Sequence, residues 1–143
     1  MTELVFLDPA EIDRRYAAEV RGGETLAHTA ERPRRLNHFE GVDDIVLLAA
    51  ALLRAVNDKH ALLDGNKRAS MRLTDEFLGL NGYRLEGAPD ALIEVGWTAG
   101  RHGYESDTAL AEILRPLVAA GAPDTPFDQR YPQVIADLAR MSS

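Results

Sequence analysis

The sequence predicts an all-α fold, a compact helical bundle, and three observations carry that prediction. Apolar residues recur at spacings of three and four, most clearly at Leu73, Phe77 and Leu80, which would form one buried stripe of a helix. Helix start and stop signals bound the segments that show this spacing. No stretch alternates convincingly between apolar and polar residues, as a half-buried strand would.

The first helix is predicted from its start signal. Asp8 is a good N-cap, Pro9 suits the first helical position, and Glu11 stands three residues after the cap. We expect this helix to run to about Arg21 and to stop at Gly22-Gly23.

The segment 24–41 is predicted to be a loop with room for a short hairpin. Neither helical nor strand periodicity extends far in it, and Pro33 breaks any helix through its middle. It also contains a locally basic run of residues. Composition favours a solvated connection there over a binding surface.

Two central helices are predicted next. Asp43 or Asp44 caps the first, which runs to about Val56 and is apolar almost all round. The second begins near Gly65 and continues to Leu80. A polar turn joins the two helices.

Three further helices are predicted in the rest of the chain, at 89–99, 107–120 and 131–141. Pro116 is expected to kink or end the second of these. We divide the chain into one domain over 1–121 and a C-terminal extension over 122–143, which we expect to form one packing helix.

Composition is that of a single globular domain and limits the function. The chain has 143 residues, 45% hydrophobic and 27% charged. A net charge of −7 argues against direct nucleic-acid binding, and the lack of cysteine excludes disulfides and thiolate chemistry. The start has no signal-peptide pattern, and the longest apolar run, 45–53, is too short to span a bilayer. We therefore expect a cytoplasmic protein that does not insert into a membrane.

The turn between the central helices concentrates reactive side chains. Residues 60–68, His-Ala-Leu-Leu-Asp-Gly-Asn-Lys-Arg, bring together an imidazole, a carboxylate, a Gly-Asn step and two cations. A helix that begins at 65–66 directs free backbone N–H groups and its positive dipole end outward, which makes an anion site. Lys67 and Arg68 oppose that dipole, and an anionic ligand would remove the conflict.

The other polar groups of the turn complete a site for phosphate chemistry. Asp64 is placed to hold Mg²⁺ through oxygen, and His60 is suited to take a proton from a hydroxyl near neutral pH. Arg72 lies four residues beyond Arg68 and is a second candidate phosphate contact. Each residue alone is more often structural, but the concurrence of reactive groups within the nine residues 60–68 predicts phosphoryl or nucleotidyl transfer.

The remaining histidines, His28, His38 and His102, are isolated in the sequence. Since they lack metal-ligand spacing, we expect them to be surface residues. Neither a Walker A loop nor a His-Glu-x-x-His zinc motif is present.

The segment 60–68 resembles the signature of the Fic/Doc family, His-x-Phe-x-Asp/Glu-Gly-Asn-x-Arg. Lys67 in the variable position is a mark of the Doc (death on curing) branch. The end of the next helix, Phe-Leu-Gly-Leu-Asn-Gly-Tyr at 77–83, and the Arg-Pro-Arg stretch at 32–34 are also similar to that branch. The likeness covers about residues 4–120.

The resemblance implies a Fic fold in which the motif joins two central helices. His60 would be the general base for a target hydroxyl, Asp64 the Mg²⁺ ligand, and Arg68 a contact to the nucleotide phosphates. The anion-binding turn would consist of Gly65, Asn66 and Lys67. An upstream flap, which in this family docks the target by strand addition, would consist of Arg34, Arg35, Leu36, Asn37, His38 and Phe39.

The same resemblance implies a toxin of a toxin–antitoxin pair. Toxins of the Doc type pass the γ-phosphate of ATP to a threonine of elongation factor Tu, which arrests translation. A Phd-like antitoxin holds such a toxin in check by occupying its groove. ATP and Mg²⁺ are the expected cofactors, and the antitoxin and elongation factor Tu are the expected partners.

Departures from the family pattern bear on the reaction. Leu62 replaces the aromatic of the motif and Ala61 its usual proline, which should anchor the loop less rigidly. AMP-transferring members have a second arginine where this chain has Met71, which favours phosphate transfer, although Arg72 could partly substitute. No inhibitory Ser/Thr-x-x-x-Glu-Gly/Asn motif is present, so inhibition would come from another chain.

Three hypotheses stay open on the sequence alone. The first is the Doc-type kinase, and the second is an AMP transferase on the same scaffold. The third is a catalytically degenerate binding module, for which Leu62 and Ala61 are the support.

Overall fold

Helices dominate the computed structural model, which describes residues 3–19 and 25–141. The predicted all-α class is confirmed. The helices are α1 Pro9–Tyr16, α2 Leu26–Ala30, α3 Arg32–Glu40, α4 Ile45–Lys59, α5 Asn66–Leu80, α6 Pro89–Gly100, α7 Asp107–Leu114, α8 Phe127–Arg130 and α9 Pro132–Arg140. Two short strands, β1 Tyr83–Leu85 and β2 Val118–Ala120, form an antiparallel pair.

The central helices α4 and α5 pack against each other, and the other elements surround them. Ten residues of α4 are buried, as expected of a helix that is apolar almost all round. In α5, Leu73 and Phe77 are fully buried, as predicted, but Leu80 is 48% exposed. The predicted stripe is therefore wrong at its last member, since Leu78 is buried in its place.

The first helix begins where the sequence predicts, because the Asp8 carboxylate accepts a hydrogen bond of 3.0 Å from the Ala10 amide. The α-helix ends at Tyr16, earlier than predicted, and a 3₁₀ turn at Ala17–Glu19 follows. The predicted stop at Gly22-Gly23 lies outside the described residues.

The predicted loop over 24–41 is wrong for the described residues, because α2 and α3 occupy most of it. Thr25 caps α2 through its hydroxyl, which accepts from the His28 amide. Pro33 stands in the first turn of α3, where its missing N–H has no helical partner to lose, so it permits the helix that we expected it to break. Gly41 then ends α3 in a left-handed conformation, with φ of 68°.

The predicted helix over 107–120 is too long. It ends at Leu114, a 3₁₀ turn at Arg115–Leu117 contains Pro116, and the chain continues as β2. The register of the strand pair joins Leu85 to Val118. Strands of three residues are too short to show alternation, so the sequence did not predict this pair.

The C-terminal segment from 122 packs onto the bundle with α8 and α9, which contact α5 and α6. The last predicted helix is present as α9, and Val134 and Leu138 are buried in the common core. Leu138 lies so close to Gly96 of α6 that a Cβ there would meet its methyl group at 2.9 Å. The division of the chain at residue 121 stays a prediction.

Buried ion pairing adds to this packing. Asp75 of α5 is 2% exposed, and its two carboxylate oxygens each accept a hydrogen bond of 2.9 Å from Arg130 of α8. The hydrogen bonds to Asp75 raise the pKa of Arg130.

Of the helices in the described part of the chain, none combines the length and apolar character needed to cross a membrane.

Candidate active site

The reactive turn starts at the end of α4, where His60 follows Lys59 with φ of 49°. Left-handed backbone costs a residue with a side chain on the order of 1 kcal/mol, although histidine tolerates it better than most. The ring that this backbone projects has its Nε2 atom 3.3 Å from Nε2 of His102. The end of α4 therefore holds the imidazole beside the end of α6.

The loop after His60 is fixed by two residues of the motif. Asn66 is 1% exposed, and its side-chain oxygen accepts from the Leu62 amide at 3.1 Å while its NH₂ group donates to the Leu62 carbonyl at 3.0 Å. The Leu62 side chain is itself buried, so leucine in the place of the family's aromatic anchors the loop in the core. The next amide, of Leu63, donates to the carbonyl of Glu19 at 2.9 Å.

The entrance of α5 is built around Gly65, whose φ of 86° is costly for any residue but glycine. A Cβ on Gly65 would lie 3.2 Å from Nη2 of Arg68, so glycine also gives the guanidinium room beside the turn. No side chain of the described residues caps this helix end. The entrance thus presents first-turn amides and the positive end of the helix dipole, as the sequence predicts for an anion site.

Asp64 and Arg68 flank this entrance. Their closest atoms, Oδ2 and Nη2, are 3.3 Å apart, and the Asp64 side chain is 71% exposed. An exposed carboxylate is a suitable oxygen ligand for Mg²⁺, which proteins commonly hold with one or two carboxylates and the phosphates of the substrate. Among the residues that the structure describes, no group of three His, Asp or Glu side chains is placed to hold a metal by itself.

Lys67 is directed away from the entrance, toward α6. It is 5% exposed, its Nζ lies 6.0 Å from the centre of the Trp97 ring, and its Cε lies where a Cβ on Gly100 would collide with it. Burial lowers the pKa of Lys67, and the Asp64 carboxylate partly opposes this. The role of Lys67 in the anion-binding turn stays a prediction. Because its ammonium group is directed toward α6, this role would fall to its backbone amide.

Arg72 follows Arg68 by one helical turn but is engaged elsewhere. Its Nε and Nη2 atoms donate to the Asp128 carboxylate of α8, at distances from 2.8 to 3.0 Å. These hydrogen bonds raise the pKa of Arg72. No described contact joins it to Asp64 or Arg68, and its role as a phosphate contact stays a prediction.

The residues expected to form a flap lie in α3, so the loop predicted for them is wrong. Three of them are tied to their surroundings: Arg34 stacks on Phe6 at 5.2 Å, Arg35 donates to the His28 carbonyl, and Asn37 donates to the Val42 carbonyl. A helix offers no free edge for strand addition, which counts against that mode of docking. Whether this segment docks a target stays a prediction. The six predicted flap residues are Arg34, Arg35, Leu36, Asn37, His38 and Phe39.

The sequence analysis gave no role at the site to two residues near it, Asp58 and His102. Nδ1 of His102 lies 2.8 Å from Oδ1 of Asp58, and its Nε2 faces His60. The prediction that His102 is a surface residue is confirmed, since the residue is exposed, but it is not isolated in the fold. The sequence holds one signal, Gly103 directly after His102, which is typical of a helix exit. That the exit of α6 lies beside the exit of α4 depends on tertiary packing.

A groove in the described part of the chain lies away from this turn. Its volume is about 940 Å³, and it runs between the N-terminal segment, α5 and the segment 122–129. None of residues 60–68 lines this groove, so it is not part of the turn.

Comparison with known families supports the motif. Residues 8–78 match the model of the Fic/DOC family. This match supports the assignment of the segment to the Fic/DOC family. A comparison with curated proteins found no match.

The Fic/DOC segment contains α1 to α4, the whole reactive turn and most of α5. Asp58 lies within it, whereas His102 and Asp128 lie beyond its end. Fic/DOC proteins are in general transferases and typically use ATP with a metal. The exposed Asp64 carboxylate and the uncapped entrance of α5 fit those two ligands.

Proposed function

We propose that this Fic/DOC protein is a Doc-type transferase, which moves the γ-phosphate of ATP to a hydroxyl side chain of another protein. The observation that carries the proposal is the entrance of α5, a helix end without a side-chain cap that is flanked by Asp64 and Arg68, with His60 at the start of the same turn. This arrangement combines a site for anionic phosphates with a group that can accept a proton.

The chain's own residues have separate tasks in this reaction. His60 takes the proton of the incoming hydroxyl, so that its oxygen can attack phosphorus. Arg68 and the amides of the first turn of α5 hold the phosphate oxygens and stabilise their charge. Asn66 and Leu62 keep the turn in shape and leave the reactive groups in place. ATP would supply the phosphoryl group, with Mg²⁺ on Asp64 neutralising phosphate charge.

Two features favour transfer of phosphate over transfer of AMP. In AMP-transferring members the second arginine corresponds to Met71, which here is fully buried in the core. Arg72, which could have substituted for it, is held by Asp128. Neither position offers a second guanidinium at the entrance of α5.

The biological role follows from the same resemblance and is part of the proposal. The protein would act in the cytoplasm as a toxin that phosphorylates elongation factor Tu and arrests translation. A Phd-like antitoxin would cover the groove until it is removed. The absence of an inhibitory motif within the chain agrees with control by a second protein.

The decisive experiment follows the label of ATP. The purified protein is incubated with elongation factor Tu and Mg²⁺ and with ATP labelled at either the α- or the γ-phosphate. We expect γ-label on the target, and a mass increase of one phosphate. The variant His60→Ala should transfer label about 10²- to 10⁴-fold more slowly, as for removal of a general base.

Other outcomes of this experiment decide against the proposal. Label from the α-phosphate would show an AMP transferase. If neither label is transferred and expression of the wild-type chain does not arrest growth, the degenerate binding module becomes the better account.

A further inference from the structure

Three side chains form a continuous chain of contacts that ends at the proposed general base. The Asp58 carboxylate lies 2.8 Å from Nδ1 of His102, and Nε2 of His102 lies 3.3 Å from Nε2 of His60. The two rings are tilted at 56°, with their centres 5.3 Å apart. The Asp58 carboxylate, the His102 imidazole and the His60 imidazole therefore follow one another in space.

The backbone of His102 is unusual in a way that serves this contact. Among the described residues, the non-glycine residues with positive φ are His60 and His102, with φ of 49° and 57°. His102 stands directly beyond the cap of α6, where its amide donates to Ala99 and the amide of Gly103 donates to Thr98. Glycine is the usual residue at that left-handed position, so histidine there keeps an imidazole at a backbone cost.

The loop that holds His102 is fastened to α4 by one arginine. Arg54 donates to the carbonyls of Tyr104 and Glu105, at 3.2 and 3.1 Å, and pairs with the Asp107 carboxylate at 3.2 Å. These bonds fix the exit of α6 beside α4, the helix that ends at His60. The approach of the two rings is thus held by the fold on both sides.

The two contacts determine which ring nitrogen of His102 and of His60 carries a proton when both rings are neutral. A carboxylate accepts hydrogen bonds, so Nδ1 of His102 carries a proton, and Nε2 of the neutral ring is left as an acceptor. A hydrogen bond between the two Nε2 atoms then requires that His60 donate from Nε2. The lone pair of the neutral His60 ring is consequently on Nδ1.

We propose that Asp58 and His102 are positioning residues for His60, which fix its Nε2–H tautomer and make Nδ1 the atom that takes the proton of the target hydroxyl. The proposal rests on the transferase function proposed above. As the hydroxyl oxygen bonds to phosphorus and the bond from phosphorus to its leaving oxygen breaks, the hydroxyl proton moves to Nδ1. The Nε2 proton of His60 can pass to His102, which places the added positive charge beside the Asp58 carboxylate.

The first test needs neither ATP nor a target. Imidazole nitrogen shifts of the four histidines are measured by NMR at a pH where the rings are neutral, in the wild type, His102→Gly and Asp58→Asn. We expect Nε2–H for His60 in the wild type, and a mixture of both tautomers in His102→Gly. Glycine suits the left-handed backbone, so this variant should unfold at no lower temperature than the wild type. Identical His60 shifts in all three proteins would overturn the proposal.

The second test measures transfer. His102→Gly and Asp58→Asn should lower kcat about 10- to 100-fold, less than the loss of the general base itself, with the KM for ATP unchanged. Asp13→Asn, at an exposed site on α1, is the matched control and should leave both constants unchanged. A shifted His60 tautomer together with wild-type kcat would also overturn the positioning role. If the wild type transfers nothing, the proposed function fails, and the NMR result still decides whether this contact sets the His60 tautomer.

Discussion

The two central helices are equal in length, at 15 residues each, but they begin in opposite ways. At the start of α4, the Asp44 carboxylate accepts from the amides of Val46 and Leu47, at 3.0 and 3.4 Å, and pairs with Arg115. At the start of α5, Gly65 supplies no cap, and Arg68 adds positive charge where an acid would be favoured.

The difference separates a helix end that a side chain of the protein caps from one without a side-chain cap, where we propose that phosphate binds. Asp44 gives α4 the negative charge that the helix dipole favours, and no further anion is needed there. The entrance of α5 has the Asp64 carboxylate nearby, but this side chain is 71% exposed and meets Arg68 at a long 3.3 Å. A phosphate group could supply what the chain itself supplies at α4.

The largest effect is expected when the entrance of α5 loses the guanidinium group of Arg68. Arg68→Met should weaken ATP binding about 10- to 100-fold, because a hydrogen bond to a charged group contributes roughly 1.5–3 kcal/mol. Isothermal titration with Mg-ATP measures this loss.

Arg72→Met tests whether the next arginine of α5 shares this role. The pairing of Arg72 with Asp128 leads us to expect unchanged ATP affinity and a stability loss below about 1 kcal/mol, as for a partly exposed ion pair. Equal losses of affinity in both variants would instead make Arg72 the second phosphate contact that the sequence predicts.

A smaller effect is expected when α4 loses its cap. Asp44→Ala should lower the free energy of unfolding by about 1–2 kcal/mol, measured by urea denaturation, because the amides of Val46 and Leu47 lose their acceptor. The neighbouring Asp43→Ala is the matched control, since Asp43 is exposed and is not the cap. A loss at Asp43 as large as the one at Asp44 would contradict the assignment of the cap.

Much of the fold could be predicted where a signal is local. The Asp8 cap, the start of α5 at Gly65 and the helix at 132–140 depend on residues close in sequence, and the structure has each of them. Pro33 shows the limit of such signals, because proline breaks a helix in its interior but favours its first turn. The sequence signal at Pro33 is the same in both cases, so the sequence predicts a loop where the structure has the start of α3.

The candidate site likewise combines residues that the local sequence indicates with contacts that only tertiary packing creates. His60, Asp64 and Arg68 stand within nine residues of one another, so the sequence alone indicates that they share one turn. The contact of His102 with Asp58 joins residues 44 positions apart, and the pairing of Arg72 with Asp128 joins residues 56 apart. Such contacts depend on how α6 and α8 pack, which no local pattern indicates.

The smallest expected effect is the pH dependence of the stability that the Asp44 carboxylate contributes at the start of α4. The hydrogen bond from Arg115, together with the amides of Leu47 and Val46, holds the pKa of Asp44 below its ordinary value of 3.8. A group with a lowered pKa in the folded state stabilises the protein above its unfolded pKa, and this contribution is lost as the pH falls through the folded pKa.

Asp44→Asn keeps a capping oxygen but cannot titrate. The wild type should therefore exceed this variant in stability most at neutral pH, and the difference should shrink as the pH falls below about 4, where carboxylates of this kind gain their proton. Both partners of the ion pair are more than 40% exposed, so the change should be smaller than the loss of the whole cap. Urea denaturation of both proteins at several pH values measures it, and a difference that is constant from neutral pH to pH about 3 would mean that the charge of Asp44 contributes nothing to the start of α4.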